Sequence, residues 1–516
     1  MQGLLKGIII ALAAWANSSA ARSIIQQQQP STSNATPVNI CPRAMDNWVE
    51  DIKTELVPKL SPEAKVYLPG SGDFDTASAR WSALGKPVVN AAISAAVAQD
   101  VVETVKFANT KGVKFLAYNS AHGALTSLGK VDSGIEIFMK QLNSVEIAQD
   151  GKSVKVGGGI NSKYLVDTLW DAKKQAVTGT CECVNYLGPA LGGGHGWLQG
   201  HHGLIADQFL SMDVVLADGT LKTIDTNSDL FWAMKGAGHN FGIVTSVTLK
   251  IYDVEHTDWA IETLTFSGDK VVPVYTAANN LLKNQPEGVI HWSYWLNNPS
   301  ADANNPVIIV YLIQEGVKQV DPAITGPFHD IDALNIQPDS GTYRDLARWT
   351  GIALDSPPCQ KTGASNPRFP IYLESFNVPA MQQAYKLYAS EANVSGPFHN
   401  SIFMFEGYST QGVKAVDPKS AAYAFRSDNF LAAPLISYES TGPDLDQKAI
   451  DLGQQLRQIL LKGSGRSELH AYVNYAFGTE TSQQWYGYEQ WRQDKLKALK
   501  QKYDPNGKFS FYAPIV

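Results

Sequence analysis

The spacing of hydrophobic residues changes along the chain and divides it into two parts. Between residues 86 and 252, short apolar runs at 88–90 and 113–118 predict strands, and apolar residues at helical spacing predict a helix over 93–110 between them. Two further runs, at 212–216 and 220–224, are joined by Ala217-Asp218-Gly219, which is a strong hairpin signal. This part of the chain therefore has a mixed helix and strand pattern.

After about residue 255 the pattern is different. Strands are predicted at 259–266, 289–296, 306–313, 402–408 and 432–438, and helices at 271–283, 380–390 and 444–462. Such a series suggests an antiparallel sheet with helices on one face, which would form a second domain. We therefore predict an α+β fold with two domains.

The stretch between the two patterns, residues 177–219, is rich in glycine. Nine glycines fall between Gly179 and Gly219. Apolar residues such as Val184, Leu187 and Trp197 are interleaved with them, which indicates a packed loop rather than a flexible linker. Backbone without side chains can come close to a ligand, especially to phosphates. The run has neither the spacing of a Rossmann fingerprint nor the Gly-Lys-Ser/Thr of a P-loop.

Composition excludes some functions and suggests a compartment. The 516 residues carry a net charge of −7, which argues against nucleic-acid binding. Residues 1–21 have the charged start, short apolar run and small residues of a secretory leader, and 22–42 form a polar tail. No other stretch is long and uncharged enough to span a membrane. We expect a secreted or vesicular protein, with Asn34 and Asn393 as glycosylation acceptors.

The four cysteines are Cys41, Cys181, Cys183 and Cys359. Secreted chains usually pair their cysteines, but Cys181 and Cys183 are too close in sequence for an easy mutual bridge. A Cys41–Cys359 disulfide is one possibility. Zinc is not favoured, because Cys181 and Cys183 lack a second pair of ligands at the usual spacing.

Several blocks in order resemble one flavoprotein family. They are Gly157-Gly158-Gly159, the glycine run, Gly236-Ala-Gly238 followed by Phe241-Gly242-Ile243-Val244, and Tyr472-Val-Asn474-Tyr475 near the C-terminus. Together they resemble the vanillyl-alcohol-oxidase-like proteins of the berberine bridge enzyme and oligosaccharide oxidase branch. The resemblance implies FAD and a PCMH-type FAD-binding domain over 43–255. It also implies a substrate domain over 256–468, and a return of 469–516 to the FAD domain.

The resemblance also implies roles for individual residues. His122 would form a covalent bond to the flavin 8-methyl group, although Ser120-Ala121 replaces the two glycines that usually precede this histidine. Cys181, 59 positions later, would form a second bond to the flavin, with Cys183 as an alternative thiol. Val184 would control the access of dioxygen. The other cofactor-binding residues implied are Asn119, Ser120, Ala121, Gly123, Gly188, Gly192, Gly193, Gly194, Gly203, Gly242, Ile243, Val244 and Asn474.

A base must accept a proton when hydride leaves the substrate. Tyr472 and Tyr475 are three positions apart, and in a strand they would point to opposite faces, so that only one would face the flavin. The family match favours Tyr472, with its proton affinity lowered by a cation or by the flavin. A carboxylate of the second domain, Glu439 or Glu374, is the alternative. His291, Trp292 and Tyr294 are either pocket or core residues.

The favoured function is a secreted, monomeric FAD oxidase that takes a hydride from a small molecule and reduces dioxygen to hydrogen peroxide. The substrate would be a secondary-metabolite intermediate or, alternatively, an oligosaccharide oxidised at its reducing end. A different class also fits, in which a flavin-bound protein without redox activity serves as a cyclase or a binding protein. Hydrolysis has no support, because Gly-x-Ser-x-Gly and His-Glu-x-x-His are both absent.

Overall fold

A computed structural model describes residues 48–516, and the predicted leader, tail and Cys41 lie outside this range. The described chain begins with the helical turns Trp48–Asp51, Ile52–Leu56 and Val57–Lys59. A four-stranded sheet follows, formed by β1 (Lys65–Tyr67), β2 (Ala91–Ser94), β3 (Lys114–Tyr118) and β4 (Gly134–Phe138). The order is β1-β2-β4-β3, with β2 and β3 parallel to β4 and β1 antiparallel to β2.

The helix Ala98–Lys111 connects β2 to β3 and buries Val101, Val102 and Val105 against the sheet. The predicted strand at 88–90 is wrong, because the ladder begins at Ala91. Val88 is exposed, whereas Ala91, Ala92 and Ile93 are fully buried. Burial in a parallel sheet, rather than the β-branched character of the valines, decides where this strand lies.

A second sheet completes the first part of the chain. Its segments are β5 (Val145–Ile147), β6 (Ser153–Gly157), β7 (Lys174–Gln175), β8 (Phe209–Val215), β9 (Leu221–Asp225), β10 (Ile243–Lys250) and β11 (Tyr252–Asp253). Five of them form an antiparallel sheet in the order β5-β6-β10-β8-β9, and β7 pairs with β11. The predicted β8–β9 hairpin is confirmed, with Gly219 at a φ of 84° in its turn. The helices here are Gly72–Ser78, Ser162–Asp171, Leu187–Leu191, Gln199–His202 and Asp229–Met234.

The second domain is a seven-stranded antiparallel sheet. Its strands are β12 (Trp259–Phe266), β13 (Val289–Leu296), β14 (Val307–Glu315), β15 (Asn335–Gly341), β16 (Ile371–Leu373), β17 (Ile402–Gly407) and β18 (Phe430–Leu435). The order is β15-β12-β14-β13-β17-β18-β16. The helices are Val271–Lys283, Pro322–His329, Leu346–Trp349, Val378–Glu391, Gln411–Ala415 and Pro443–Gly463. The predicted antiparallel sheet is confirmed, but β15 and β16 were missed.

Side chains alternate between the two faces of this sheet, as strand geometry requires. On one face, Trp295 packs against Tyr385 and Tyr388 of the helix Val378–Glu391. Trp292 and Tyr294 of the same strand point to the opposite face, where there is a cavity. The helices therefore cover one face and leave the other free for a ligand.

The C-terminal segment contains the helices Ser482–Tyr486 and Gln490–Tyr503 and returns to the first domain. Asn240 is the centre of this contact. Its amide donates to the backbone carbonyl of Ala513 at 3.1 Å, and its side-chain oxygen accepts from the backbone N–H of Ile515 at 3.1 Å. Lys500 donates to the backbone carbonyl of Asn240 at 2.9 Å. Within residues 48–516, no helix combines the length and the hydrophobicity needed to cross a bilayer.

Ala121 follows β3 and has a φ of 56°, a backbone conformation that residues other than glycine rarely adopt. Ala121→Gly removes this strain, but glycine also gives the unfolded chain more conformational entropy. We expect the net effect to be a rise of about 0.5–1 kcal/mol in the free energy of unfolding. Urea unfolding of the two proteins measures the difference. Ala124→Gly is the matched control, because Ala124 has no positive φ and should only lose stability. A lower stability for Ala121→Gly would contradict the prediction.

Candidate active site

A cavity of about 780 Å³ lies between the first domain and the free face of the seven-stranded sheet. The first domain contributes the loop after β3, the second domain contributes β12, β13, β14 and β17, and the C-terminal segment contributes Tyr472 to Tyr475 and Tyr512. Ligand sites are often clefts between domains. The cavity is therefore the candidate site.

The loop that follows β3 forms one wall of the cavity. Asn119, Ser120, Ala121, His122 and Gly123, which the family resemblance implied as cofactor-binding residues, all line it. The Asn119 amide donates to the backbone carbonyl of Gly159, and the Ser120 hydroxyl accepts from the backbone N–H of Asn185 at 3.2 Å. These bonds hold the loop against Gly159 and against the start of the glycine-rich stretch. Gly188, Gly242, Ile243, Val244 and Val184 line the same cavity.

His122 is held in place by ring stacking. Its imidazole lies 5.2 Å from the Trp81 ring, with 15° between the two planes. Burial is the main cause that lowers its pKa to about 3, and Arg368 and Lys361 lower it further. The imidazole is therefore neutral at physiological pH. A neutral ring nitrogen keeps the lone pair that bond formation to a carbon would need.

Three cysteine sulfurs cluster beside this histidine, and that of Cys183 lies 3.4 Å from Nε2 of His122. Cys183 is bonded to Cys359 of the second domain, so the expectation that Cys359 pairs with Cys41 is wrong. Cys183 is consequently not a free alternative thiol. Cys181 is the free cysteine of the described chain, and its sulfur lies 3.5 Å from that of Cys183 and 3.8 Å from that of Cys359. Burial raises the pKa of the Cys181 thiol to about 11.

The later glycines of the run do not line the cavity. Gly192, Gly193, Gly194 and Gly203 were predicted to contact the cofactor, but their neighbours are protein groups. A Cβ atom at Gly192 would lie 2.3 Å from the Asn474 side-chain oxygen, and one at Gly193 would lie 2.5 Å from the Tyr423 ring. These glycines allow other segments to approach closely, and Asn474 itself lines the cavity.

Tyr472 and Tyr475 both line the cavity, so the argument that only one faces it is wrong. Val473–Tyr475 forms a turn of 3₁₀ helix rather than a strand, and the two tyrosine rings lie 5.1 Å apart. The Asn474 amide donates to the Tyr472 hydroxyl and to the backbone carbonyl of Pro189, both at 2.8 Å. Burial raises the pKa of both phenols above the usual range, contrary to the lowered proton affinity expected for Tyr472.

The buried carboxylate of the cavity is Glu406, which the sequence analysis missed. Glu439 and Glu374 are exposed and do not line the cavity. Glu406 is 4 % exposed, and it accepts hydrogen bonds from Tyr475 at 3.0 Å and from Tyr408 at 3.2 Å. Burial is the main cause that raises its pKa to about 7. The signal was present in β17, where Ile402, Met404 and Glu406 alternate onto one face.

The wall formed by the second domain is mainly apolar and aromatic. Trp292 and Tyr294 line it, whereas His291 points to the other face and packs against Phe376. Polar side chains are concentrated toward β15. The principal lining residues of this wall are Ile261, Thr263, Thr265, Trp292, Tyr294, Ile309, Tyr311, Met404, Asn335, Gln337 and Asp339.

Among the buried polar atoms of the cavity lining that lack a hydrogen-bond partner within residues 48–516, two belong to Asn474 and His239. One is the Asn474 side-chain oxygen, and the other is Nδ1 of His239, whose Nε2 is 2.9 Å from the backbone carbonyl of Gly188. Buried polar atoms normally have partners, so these atoms fit a bound molecule with both donors and acceptors. Gly158 also lines the cavity, and a Cβ there would lie 2.1 Å from the carbonyl oxygen of Val244. This lining of close backbone, orphan polar atoms and His122 suits a large cofactor such as FAD.

Comparison with known proteins agrees with this site. Residues 89–225 match the FAD binding domain family. The chain is 58% identical over 511 residues to the FAD-linked oxidoreductase chyH of Penicillium rubens, covering 98% of this chain and 99% of the relative. It is 53% identical over 484 residues to the FAD-linked oxidoreductase chry5 of Gibberella zeae, covering 91% and 96%.

The fold is also found in solved structures. The BBE-like 1 protein of Physcomitrella patens superimposes with a TM-score of 0.76 at 21% identity, covering 90% of this chain and 99% of the other. The xylooligosaccharide oxidase of Myceliophthora thermophila gives 0.75 at 21% identity, covering 91% and 98%. The fold, the FAD-binding domain and the identity to its relatives together show that the chain belongs to the FAD-linked oxidoreductases with the PCMH-type, berberine-bridge-enzyme-like fold.

Proposed function

We propose that this protein is an oxidase that removes a hydride from a C–H bond next to oxygen, nitrogen or an activated ring carbon of a small molecule. Bound FAD supplies the hydride acceptor and reacts with dioxygen to give hydrogen peroxide. The observation that carries the proposal is the buried carboxylate of Glu406, with a pKa raised to about 7, in the same cavity as His122.

Glu406 has the properties of a general base. A base works best when its pKa is close to the working pH, because it is then ionised and still has useful proton affinity. Tyr475 and Tyr408 each donate to one of its two oxygens and fix the orientation of the carboxylate. As hydride leaves the substrate carbon, Glu406 would accept the proton of the adjacent O–H or N–H. The two tyrosines, whose pKa values are raised by burial, stay protonated and act as donors.

The substrate that fits the wall best is a small, partly aromatic molecule. Trp292, Tyr294 and Tyr311 present ring surface to the cavity, and rings pack well against flat ligands. This supports a secondary-metabolite intermediate. A second candidate is an oligosaccharide, because polar side chains such as Asn335 and Gln337 line the β15 end. The names of the curated relatives do not distinguish the two.

His122 is the residue proposed to carry the flavin, since its ring is neutral, stacked on Trp81 and placed on the loop after β3. Cys181 is the proposed second attachment point. Its thiol lines the cavity, whereas Cys183 is already bonded to Cys359. Such bonds would withdraw electron density from the flavin ring, and an electron-poorer flavin would accept a hydride more readily.

Val184 is proposed to admit dioxygen. It lines the cavity three residues after Cys181, and its backbone N–H donates to the Cys181 carbonyl at 3.2 Å. Secretion is also proposed, from the leader and from the Cys183–Cys359 disulfide, which would persist in an oxidising compartment. A monomer remains the proposed state.

Glu406→Gln should slow flavin reduction by about 10²–10⁴-fold, because the neutral amide cannot accept a proton. In the wild type, the reduction rate should rise with pH up to about 7 and then level, since the carboxyl is protonated below that pKa. Anaerobic stopped-flow absorbance measures the flavin reduction rate of the variant and the pH dependence of the wild-type rate. The substrate is one found by screening sugars and aromatic alcohols for peroxide release. Exposed Glu439→Gln is the control. Unchanged reduction in Glu406→Gln would exclude it as the base, and a yellow protein that no substrate bleaches would favour the cyclase or binding alternative.

Precipitation with trichloroacetic acid tests the flavin bonds. The wild-type pellet should stay yellow, and the His122→Ala pellet should stay yellow only if Cys181 holds a second bond. The double variant His122→Ala, Cys181→Ala should release all colour into the supernatant. A yellow pellet from the double variant would refute both assignments.

Val184→Ile should slow reoxidation by air at least about tenfold without changing photoreduction, because the added methylene narrows the path of dioxygen in a close-packed interior. The flavin is first reduced by light, so no substrate is needed, and recovery of its absorbance is followed after mixing with air. Val244→Ile is the matched control, because Val244 also lines the cavity. Equal reoxidation rates for Val184→Ile and the wild type would rule out this role.

A further inference from the structure

Arg368 places a positive charge at the cavity, and its guanidinium has no hydrogen-bond or ion-pair partner among the described residues. Its guanidinium carbon lies 4.4 Å from the centre of the Trp81 ring and 4.5 Å from that of the Tyr475 ring. Within residues 48–516 its side chain makes neither a hydrogen bond nor an ion pair, and its Nε is a buried atom without an acceptor. Among the described residues, this cation is thus in contact with two aromatic rings.

Other arginines at the cavity are paired. Arg80 donates to Glu136 at 2.9 Å, and Arg348 donates to Asp345 at 3.0 Å. A guanidinium has five N–H donors, and burying it without an acceptor is costly. Stacking on two rings offsets part of that cost but leaves the in-plane N–H groups free. These N–H groups are open to an acceptor that enters the cavity.

The charge acts on the groups that face it. Arg368 is among the causes that lower the pKa of Glu406, of Tyr475 and of His122. It is separated from Glu406 by the Tyr475 side chain, since the guanidinium lies over the ring while the hydroxyl donates to Glu406 at 3.0 Å. A cation and a carboxylate thus flank one tyrosine of the site.

The guanidinium is also rigidly positioned. Arg368 pairs through its backbone with Leu435, and the neighbouring Asn366 donates to the backbone carbonyl of Trp81 at 2.7 Å. The Ser437 hydroxyl donates to Asn366 at 2.8 Å. A guanidinium that is already held in position loses little conformational freedom when it binds a ligand. Its N–H donors form a planar fork, and a carboxylate can accept two parallel hydrogen bonds from that fork.

We infer that Arg368 binds a carboxylate of the substrate edge-on, between Trp81 and Tyr475, and so orients the substrate toward Glu406. This inference rests on the proposed oxidase function and names its substrate class, an anionic molecule with a carboxylate near an aromatic or apolar body. Aromatic carboxylates satisfy both the guanidinium and the ring-lined wall. A neutral oligosaccharide would leave the charge without a partner.

Benzoate is a probe that needs no turnover. Titrated into the FAD-loaded protein and followed by flavin difference absorbance or calorimetry, benzoate should bind at least about tenfold more tightly than neutral benzyl alcohol. Arg368→Gln should abolish this preference, and Arg368→Lys, which keeps the charge but not the fork, should retain part of it. Arg348→Gln is the matched control, because Arg348 is already paired, and it should bind benzoate within about twofold of the wild type.

Three results would overturn the inference. They are equal affinity for benzoate and benzyl alcohol, unchanged benzoate affinity in Arg368→Gln, and loss of FAD from Arg368→Gln but not from Arg368→Lys, which would assign the guanidinium to a phosphate of the cofactor. Glu406→Gln separates this inference from the oxidase proposal. If Glu406→Gln reduces its flavin normally while benzoate binding still depends on Arg368, the base assignment fails and the carboxylate site stands.

Discussion

The structure depends on how closely separate segments of backbone approach one another beside the cavity. Gly192 and Gly193 lie against Asn474 and Tyr423, at distances that would not admit a Cβ atom. This contact joins the glycine run of the first domain to the C-terminal turn that carries both cavity tyrosines. Because interiors are close-packed, one methyl group here would displace Asn474 and, with it, the Tyr472 hydroxyl to which Asn474 donates.

A second constraint is the placement of a buried carboxylate and a half-buried guanidinium in a mainly apolar site. Burial raises the pKa of Glu406 to about 7, and the two tyrosine hydroxyls and the positive charge of Arg368 oppose that rise. The balance gives a carboxylate that is ionised near neutrality and remains a useful base. Neither charge has an ion-pair partner among the described residues. Unpaired buried charges are costly, and sites that retain them commonly act on a ligand.

The domains are joined by more than packing. Cys183 of the glycine-rich stretch is bonded to Cys359 of the second domain, and Asn366 of that domain donates to the carbonyl of Trp81. Trp81 contacts both the His122 ring and the Arg368 guanidinium. The proposed cofactor attachment point and the proposed substrate anchor are therefore held in one rigid arrangement that spans the domain boundary.

Local patterns in the sequence predicted much of the fold. The predicted strands β12 and β13 and the β8–β9 hairpin are confirmed, because each depends on neighbours in sequence. The motif resemblance placed His122, Cys181, Val184 and the loop before Gly123 at the cavity. By contrast, β2 begins three residues after its predicted start, because burial between β1 and β4 decided that boundary.

The sequence by itself determined the two patterns of elements, the family and many of the loop residues that line the cavity, since these are written in local periodicity and short motifs. Only the tertiary structure decided that Glu406 is the buried carboxylate, that Cys183 pairs with Cys359, and that both tyrosines of the C-terminal turn face the cavity. It alone brought Arg368 to Trp81, 287 positions earlier in the chain. The reason is physical: pKa values, disulfide partners and unpaired charges depend on which distant segments meet, and no local pattern encodes that meeting.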